Sequence, residues 1–200
     1  MKRILKHLLW IIPSLILVVI VSAAVYSAVA RRADTRYHVG LSKSLLVASD
    51  RFQPNQEMPV EYSCRGAGAS PEIKWSGAPE GTKSYVLIAT DWDAPSPALR
   101  LLAVSHWVLY NIPVNVNELP DKTVNDDLKK MNISIGLNIA GAEGYAPPCP
   151  PLGQHQYVFR VYALDADKIQ PASNDKNGVM EAMQGHILGY GELIGLKSAG

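Results

Sequence analysis

The feature that most constrains this 200-residue chain lies near its start. From Leu8 to Ala30, 19 of 23 residues are apolar and none is charged. As a helix rising 1.5 Å per residue, such a run measures about 34 Å, enough for a hydrocarbon core of roughly 30 Å. Lys2, Arg3 and Lys6 precede it, the basic flank shared by signal peptides and signal anchors. The run is longer than the roughly 7–15 apolar residues of a signal peptide, and Arg31-Arg32 follow at once. Residues 1–30 therefore read as an uncleaved N-terminal anchor that puts the rest of the chain outside the membrane. Ala28-Val29-Ala30 has the character of a cleavage site, so a removed signal peptide is the alternative. Arg31, Arg32 and Arg36 balance the N-terminal cations, which leaves orientation unassigned by charge.

Setting the leader apart changes the meaning of the overall charge of +1. Of 19 Lys and Arg residues, three precede the apolar run, leaving 16 against 18 Asp and Glu beyond residue 30, a charge of −2. That is a mildly acidic solvated surface, unsuited to a nucleic-acid partner, whose phosphates demand an excess of cations. The length supports one domain with its own core and an extension. Residues 31–43 are polar without a sustained period and read as a tether, with the domain at 44–200.

The domain reads mostly as strands and turns. Val60-Glu61-Tyr62 and Ile73-Lys74-Trp75 are short alternating segments bounded by Pro, Gly and Ser. Lys83–Thr90 reads as a buried strand, and Val104–Ile112 and Tyr157–Leu164 alternate with different chemistry on their two faces. Gly178–Leu188 is the best helix, with Val179, Ala182, Met183 and Ile187 near one face and Gly189 and Gly191 ending it. The expected fold class is mostly β, a sandwich with few helices.

Polar residues collect where these strands end. Asp91 and Asp93 follow the strand 83–90, two residues apart and so on one side of an extended chain. His106 lies inside the next strand, and His155 stands between a Pro/Gly-rich loop and the strand that begins at Tyr157. If the strand ends meet, two imidazoles and two carboxylates converge beside a rigid proline loop. Taken singly, each residue is as well explained by a hydrogen-bonded core histidine or an Asp-Pro turn. No HxH or HExxH spacing marks a metal site, and no cofactor motif is present.

The same residues carry a resemblance. Asp91-Trp-Asp-Ala-Pro95, His106-Trp-Val-Leu-Tyr-Asn111 and the run Gly144-Tyr-Ala-Pro-Pro-Cys-Pro-Pro-Leu-Gly-Gln-His-Gln-Tyr-Val-Phe159 occur in order. Tyr62-Ser-Cys-Arg-Gly66, Ser70-Pro-Glu-Ile-Lys-Trp75 and Ala182-Met-Gln-Gly-His-Ile-Leu-Gly189 complete the set, which spans about residues 44–196. In these elements the chain resembles the phosphatidylethanolamine-binding protein family, in its bacterial Raf kinase inhibitor-like branch. The resemblance implies a β-sandwich with a C-terminal helix. It also implies a small pocket for phosphorylated or other anionic ligands such as a phospholipid headgroup. Carried over residue by residue, that pocket comprises Asp91, Asp93, Pro95, His106, Tyr145, Pro150, His155 and Tyr157. Imidazole N–H and tyrosine O–H groups would donate to phosphate oxygens, with the aspartates orienting the imidazoles.

Three departures bear on access to such a pocket. Trp92 replaces a proline, Ala146-Pro147 replaces a pair of glycines, and Pro97–Val104 is unusually apolar. An X-Pro bond before Pro95 or Pro151 is a candidate for the cis form. Cys64 and Cys149 fall on the two cysteine positions of bacterial members, and in an exported domain they either pair or stay as buried thiols. His186 reads as structural, at the end of the helix. Asn132-Ile-Ser134 is a glycosylation sequon only in a eukaryotic source.

The expected function is non-enzymatic binding, with the domain on the outer side of a bacterial inner membrane, or secreted if the leader is cleaved. The alternatives are an inhibitor of a protease or kinase, and a hydrolase with a His/Asp pair. The membrane through residues 8–30 and a small anionic ligand are the expected partners, and a homodimer stays open.

Overall fold

The strand β4 (Ser84–Ala94) is paired on both sides and organises the molecule. The computed structural model describes residues 2–200, with side chains from Trp10 onward. Antiparallel to β4 lie β5 (Leu102–Pro113) and β8 (Gln154–Leu164), and β8 pairs in turn with β9 (Ile187–Ser198). Short β2 (Gln56–Glu57) and β7 (Ser134–Ile135) complete a six-stranded sheet of order β2-β9-β8-β4-β5-β7. A second sheet, of order β1-β3-β6, consists of β1 (Leu46–Ala48), β3 (Ile73–Ser76) and β6 (Glu118–Leu119).

Alternation along β4 divides the core in two. Tyr85, Leu87 and Ala89 face the smaller sheet and pack with Trp107, Phe159, Val161 and Trp75. Val86 and Ile88 face the other way, onto Val108, Tyr162, Val179 and Met183, two of them on or beside the helix α3 (Lys176–Ala182). Because both faces are covered, the strand reads as an uninterrupted apolar run. Each such fully buried side chain contributes roughly 1.5–3 kcal/mol. A third helix, α2 (Asn125–Lys130), buries Leu128 at the edge of the first cluster.

Three segments differ from the sequence reading. Val60–Tyr62 is a 3-10 turn and not a strand, following Pro59 and closed by the Ser63 hydroxyl on the Val60 carbonyl. The predicted helix at 178–188 ends at Ala182, and Ile187 and Leu188 already belong to β9. Gly189 and Gly191 lie within that strand, where residues 42–45 cross it, and a Cβ on Gly191 would run into the Leu45 carbonyl. The helix near the C-terminus is thus followed by a last strand.

The third difference is the tether. A single helix, α1, runs from Lys2 to His38 and takes in most of residues 31–43. Its last turns are fastened to the domain. The Arg160 guanidinium donates to both Asp34 carboxylate oxygens at 2.9 and 2.7 Å, and its Nε donates to Glu192 at 3.1 Å. The Tyr37 hydroxyl donates to the Met180 carbonyl, and His38 hydrogen-bonds the Tyr162 hydroxyl. The buried face of this segment is polar, so hydrophobic periodicity does not reveal it.

Candidate functional site

Period-two alternation continues past the core of β4, so Asp91 and Asp93 project on the face of Tyr85, Leu87 and Ala89. On β8, His155 and Tyr157 share that face with Phe159 and Val161, and Tyr157 stands directly across from Asp91. His106 reaches the same face by another route. Ala89 pairs with Trp107 but Thr90 pairs with Ser105, which makes His106 the extra residue of a β-bulge. The bulge lets His106 and its neighbour Trp107 both turn inward, and the His106 ring meets Tyr157 edge-on at 5.0 Å.

The result is a closed polar cluster. His155 is fully buried, and Asp91, Asp93, Tyr157 and His106 are each at most 6% exposed. Asp91 accepts from the Asp93 amide at 2.7 Å with one oxygen and from His155 Nδ1 at 2.7 Å with the other. His155 Nε2 faces the Leu152 carbonyl at 3.2 Å. Asp93 accepts from the Gln156 amide at 3.0 Å and forms an ion pair with Arg100, whose Nε lies 3.0 Å away.

His106 has a different character. Its Nδ1–H donates to the Ala146 carbonyl at 2.7 Å, and its Nε2 is buried without a partner. Burial holds its pKa below the ordinary value, against the Ala146 bond and the Asp91 charge, with His155 adding to the depression. Neutral His106 therefore keeps an unused lone pair in the cluster. Burial, aided by the Asp91 carboxylate, pushes the Tyr157 phenol up, so it stays a protonated donor.

The remaining predicted residues frame this cluster more loosely. Pro95 follows a cis peptide bond from Ala94, and Pro150 is buried in the loop that leads to His155. Tyr145 turns its hydroxyl to the Tyr62 carbonyl at 3.2 Å and packs edge-on against Trp107. Cys64 and Cys149 form a disulfide with Cα atoms 5.4 Å apart, and the Cys64 amide donates to Pro148 beside it. That clasp fixes the Pro-rich loop against the Val60–Tyr62 turn. His186 lies beyond the helix, on Asp165 at 2.8 Å.

Arg100 was not among the predicted site residues, although it stands in the apolar stretch that the sequence singled out. It is half-exposed, caps Asp93, and its carbonyl accepts from Arg31 of α1 at 2.9 Å. Its one sequence signal is a lone cation between Leu99 and Leu101. Among the described residues no group of three His, Cys, Asp or Glu is placed to hold a metal ion.

The family model for phosphatidylethanolamine-binding protein matches residues 48–198, which include every residue of the cluster. The chain belongs to the phosphatidylethanolamine-binding protein family. Relatives include UPF0098 proteins of Methanothermobacter thermautotrophicus, 41% identical, and Chlamydia trachomatis, 38% identical, each alignment covering 74% of this chain and 95% of the relative. Among solved structures, the family homolog CT736 of Chlamydia trachomatis superposes with a TM-score of 0.68 at 36% identity, over 78% of this chain and 97% of that one. E. coli YbcL, a member of the same family, gives 0.69 at 29% identity over 78% and 99%. Family membership supports a ligand-binding protein, and the segment before residue 48 lies outside the family match.

Proposed function

We propose that the chain is a membrane-anchored, non-enzymatic binding protein whose Asp91–His155–His106–Tyr157 cluster takes a phosphorylated or other small oxyanion. The observation that carries this reading is the buried, unpartnered Nε2 of His106. An entering oxyanion supplies the counter-charge that lets His106 take up a proton, and the new Nε2–H then donates to it. Tyr157 adds an O–H donor, and the half-exposed Arg100 guanidinium, paired in charge with Asp93, stands at the edge. Leu99, exposed on the same loop, and Leu102, exposed at the start of β5, give the approach an apolar border.

The pairing of His155 with Asp91 invites comparison with a hydrolytic dyad. The ring is fully buried, however, and its Nε2 is turned onto the Leu152 carbonyl at 3.2 Å, so that nitrogen does not face a space where a substrate could meet it. This supports binding over turnover. Calorimetric titration of the detergent-solubilised full chain with inorganic phosphate and O-phosphoethanolamine tests the reading. Saturable binding that disappears in a folded His106→Ala variant is expected, and unchanged affinity would sink the assignment.

For the anchor, the support is a helix whose Trp10–His38 portion has a mean hydropathy of 2.4 in its most apolar window and is scarcely covered by the domain. The disulfide fits an oxidising compartment on the outer side of the membrane. Retention in membranes after an alkaline carbonate wash is expected. An N-terminus at Arg31 in the mature protein would replace the anchor with a cleaved signal.

A further inference from the structure

A cavity of about 700 Å³ lies between α1 and the domain, apart from the His106 cluster. Its helical wall consists of Tyr26, Ala30, Ala33, Asp34 and Tyr37, spaced by three and four residues and so on one face of α1. The opposite wall includes Trp92, Lys176 and Met180, together with the carboxylates of Asp175 and Glu181, neither of which forms an ion pair with Lys176 among the described residues. The small side chains of Ala30 and Ala33 leave the room. Tyr26 and Ala30 belong to the apolar run, whereas Asp34 stands one turn beyond it. The cavity therefore straddles the level at which a spanning helix passes from acyl chains to headgroups.

Lys176 is the group that the rest of the structure does not use. Its ammonium sits 4.2 Å over the Trp92 ring, and burial pulls its pKa down to about 8. Asp34 acts on it only through charge and already receives both of its hydrogen bonds from Arg160. Asp175 is engaged by the Gly178 amide. Among the described residues, then, the Lys176 ammonium has an aromatic face beneath it and no carboxylate partner in contact. A cation removed from water without a counter-charge is costly, and an oxyanion beside it offsets that cost.

We propose that this cavity holds the headgroup of a bilayer phospholipid, its phosphate on the Lys176 ammonium and its acyl portion leaving past Tyr26 and Ala30 along α1. A free phosphate would share the contact with Lys176 but would leave the apolar wall of Tyr26, Ala30 and Met180 unused. The mixed lining and volume suit a ligand with one charged and one apolar end. The site rests on the reading of α1 as a membrane anchor and is independent of the His106 cluster.

Native mass spectrometry of the full chain, extracted from membranes in mild detergent, tests it. One phospholipid per chain is expected in the wild type, in His106→Ala and in Lys176→Arg. Occupancy in Lys176→Gln is expected to fall about tenfold, the loss of some 1.4 kcal/mol of binding. Equal occupancy in Lys176→Gln, or no lipid on the wild type, overturns the proposal. Displacement of the lipid by millimolar inorganic phosphate would make this a free-oxyanion site and overturns the assignment to lipid. Release of the chain by carbonate wash refutes the anchor itself, a result separate from a lipid that is retained whether or not Lys176 is present.

Discussion

Asp91 and His155 meet at 2.7 Å across two adjacent strands, both buried, although 64 residues separate them in the chain. The carboxylate that orients the ring across to β8 also accepts the Asp93 amide within β4, so one side chain both shapes the end of β4 and ties it to β8. Replacing it with alanine strands two buried donors, His155 Nδ1–H and the Asp93 N–H. Each costs about 1–3 kcal/mol when left unpaired. Asp91→Ala is expected to lower the denaturant midpoint sharply and to abolish phosphate binding, as seen by urea titration and calorimetry. A variant as stable as wild type would show that the pair does not join the strands.

The depressed basicity of His106 makes stability depend on pH with a definite sign. Above pH 6.5, its ordinary pKa, folded and unfolded chains both carry the neutral ring, and it adds no pH dependence. Below that value the unfolded chain takes up a proton that the folded chain refuses, so stability falls, by up to about 1.4 kcal/mol per pH unit until the folded ring titrates. Denaturation midpoints at pH 7.5 and 5.5 are expected to differ more in wild type than in His106→Gln.

Ligand binding should run the other way. If the oxyanion brings a proton onto His106, affinity rises as pH falls from 8 to 6, and binding enthalpies depend on the ionisation heat of the buffer. Calorimetry at one pH in phosphate-free buffers of different ionisation enthalpy measures that uptake. A value of zero protons would mean that the ligand donates to a ring that stays neutral.

The disulfide closes a loop across a sequence separation of 85 residues and ties the Pro-rich loop to the turn that holds Tyr145. Loss of such a cross-link costs roughly 2–5 kcal/mol. The double variant Cys64→Ser, Cys149→Ser is expected to unfold at lower temperature and to bind phosphate more weakly, because Pro150 and the lead into His155 lose their clasp. Titration of unreduced native protein should find no free thiol.

What the sequence showed and concealed follows from which patterns carry each residue. Asp91 and Asp93 keep the two-residue spacing of their strand, so their shared side was readable from the sequence, whereas His155 read as the residue before a strand beginning at Tyr157 and in fact lies inside β8, in step with Tyr157. His106 arrives by a bulge, which shifts the alternation by one, so its convergence with the others was readable only on the condition that the strand ends meet, and the resemblance supplied the reason to think they do. The two-residue strands β2, β6 and β7 are too short for any period to register. Arg100 reaches the site through the loop between β4 and β5, where no periodicity applies. Residues 31–38 looked like a tether because their buried face carries Asp34, Tyr37 and His38, whose partners lie more than 120 residues away.

That docked segment yields the last prediction. Asp34 and Arg160 are both mostly buried, and their paired hydrogen bonds contribute roughly 1.5–3 kcal/mol, enough to decide whether the end of α1 lies on the domain or swings free. In Asp34→Ala the guanidinium retains only Glu192, and the helix loses its strongest hold while Tyr37 and His38 keep weaker ones. The consequence is visible at Arg31, Arg32 and Arg36, which are trypsin sites within the docked turns. In proteoliposomes with the domain outward, trypsin should release a domain fragment from Asp34→Ala many times faster than from wild type. Asp34→Glu, which keeps the charge, should restore part of the protection. Equal cleavage rates in all three would mean that the last turns of α1 are free of the domain in solution, and the cavity they enclose would then have no fixed wall.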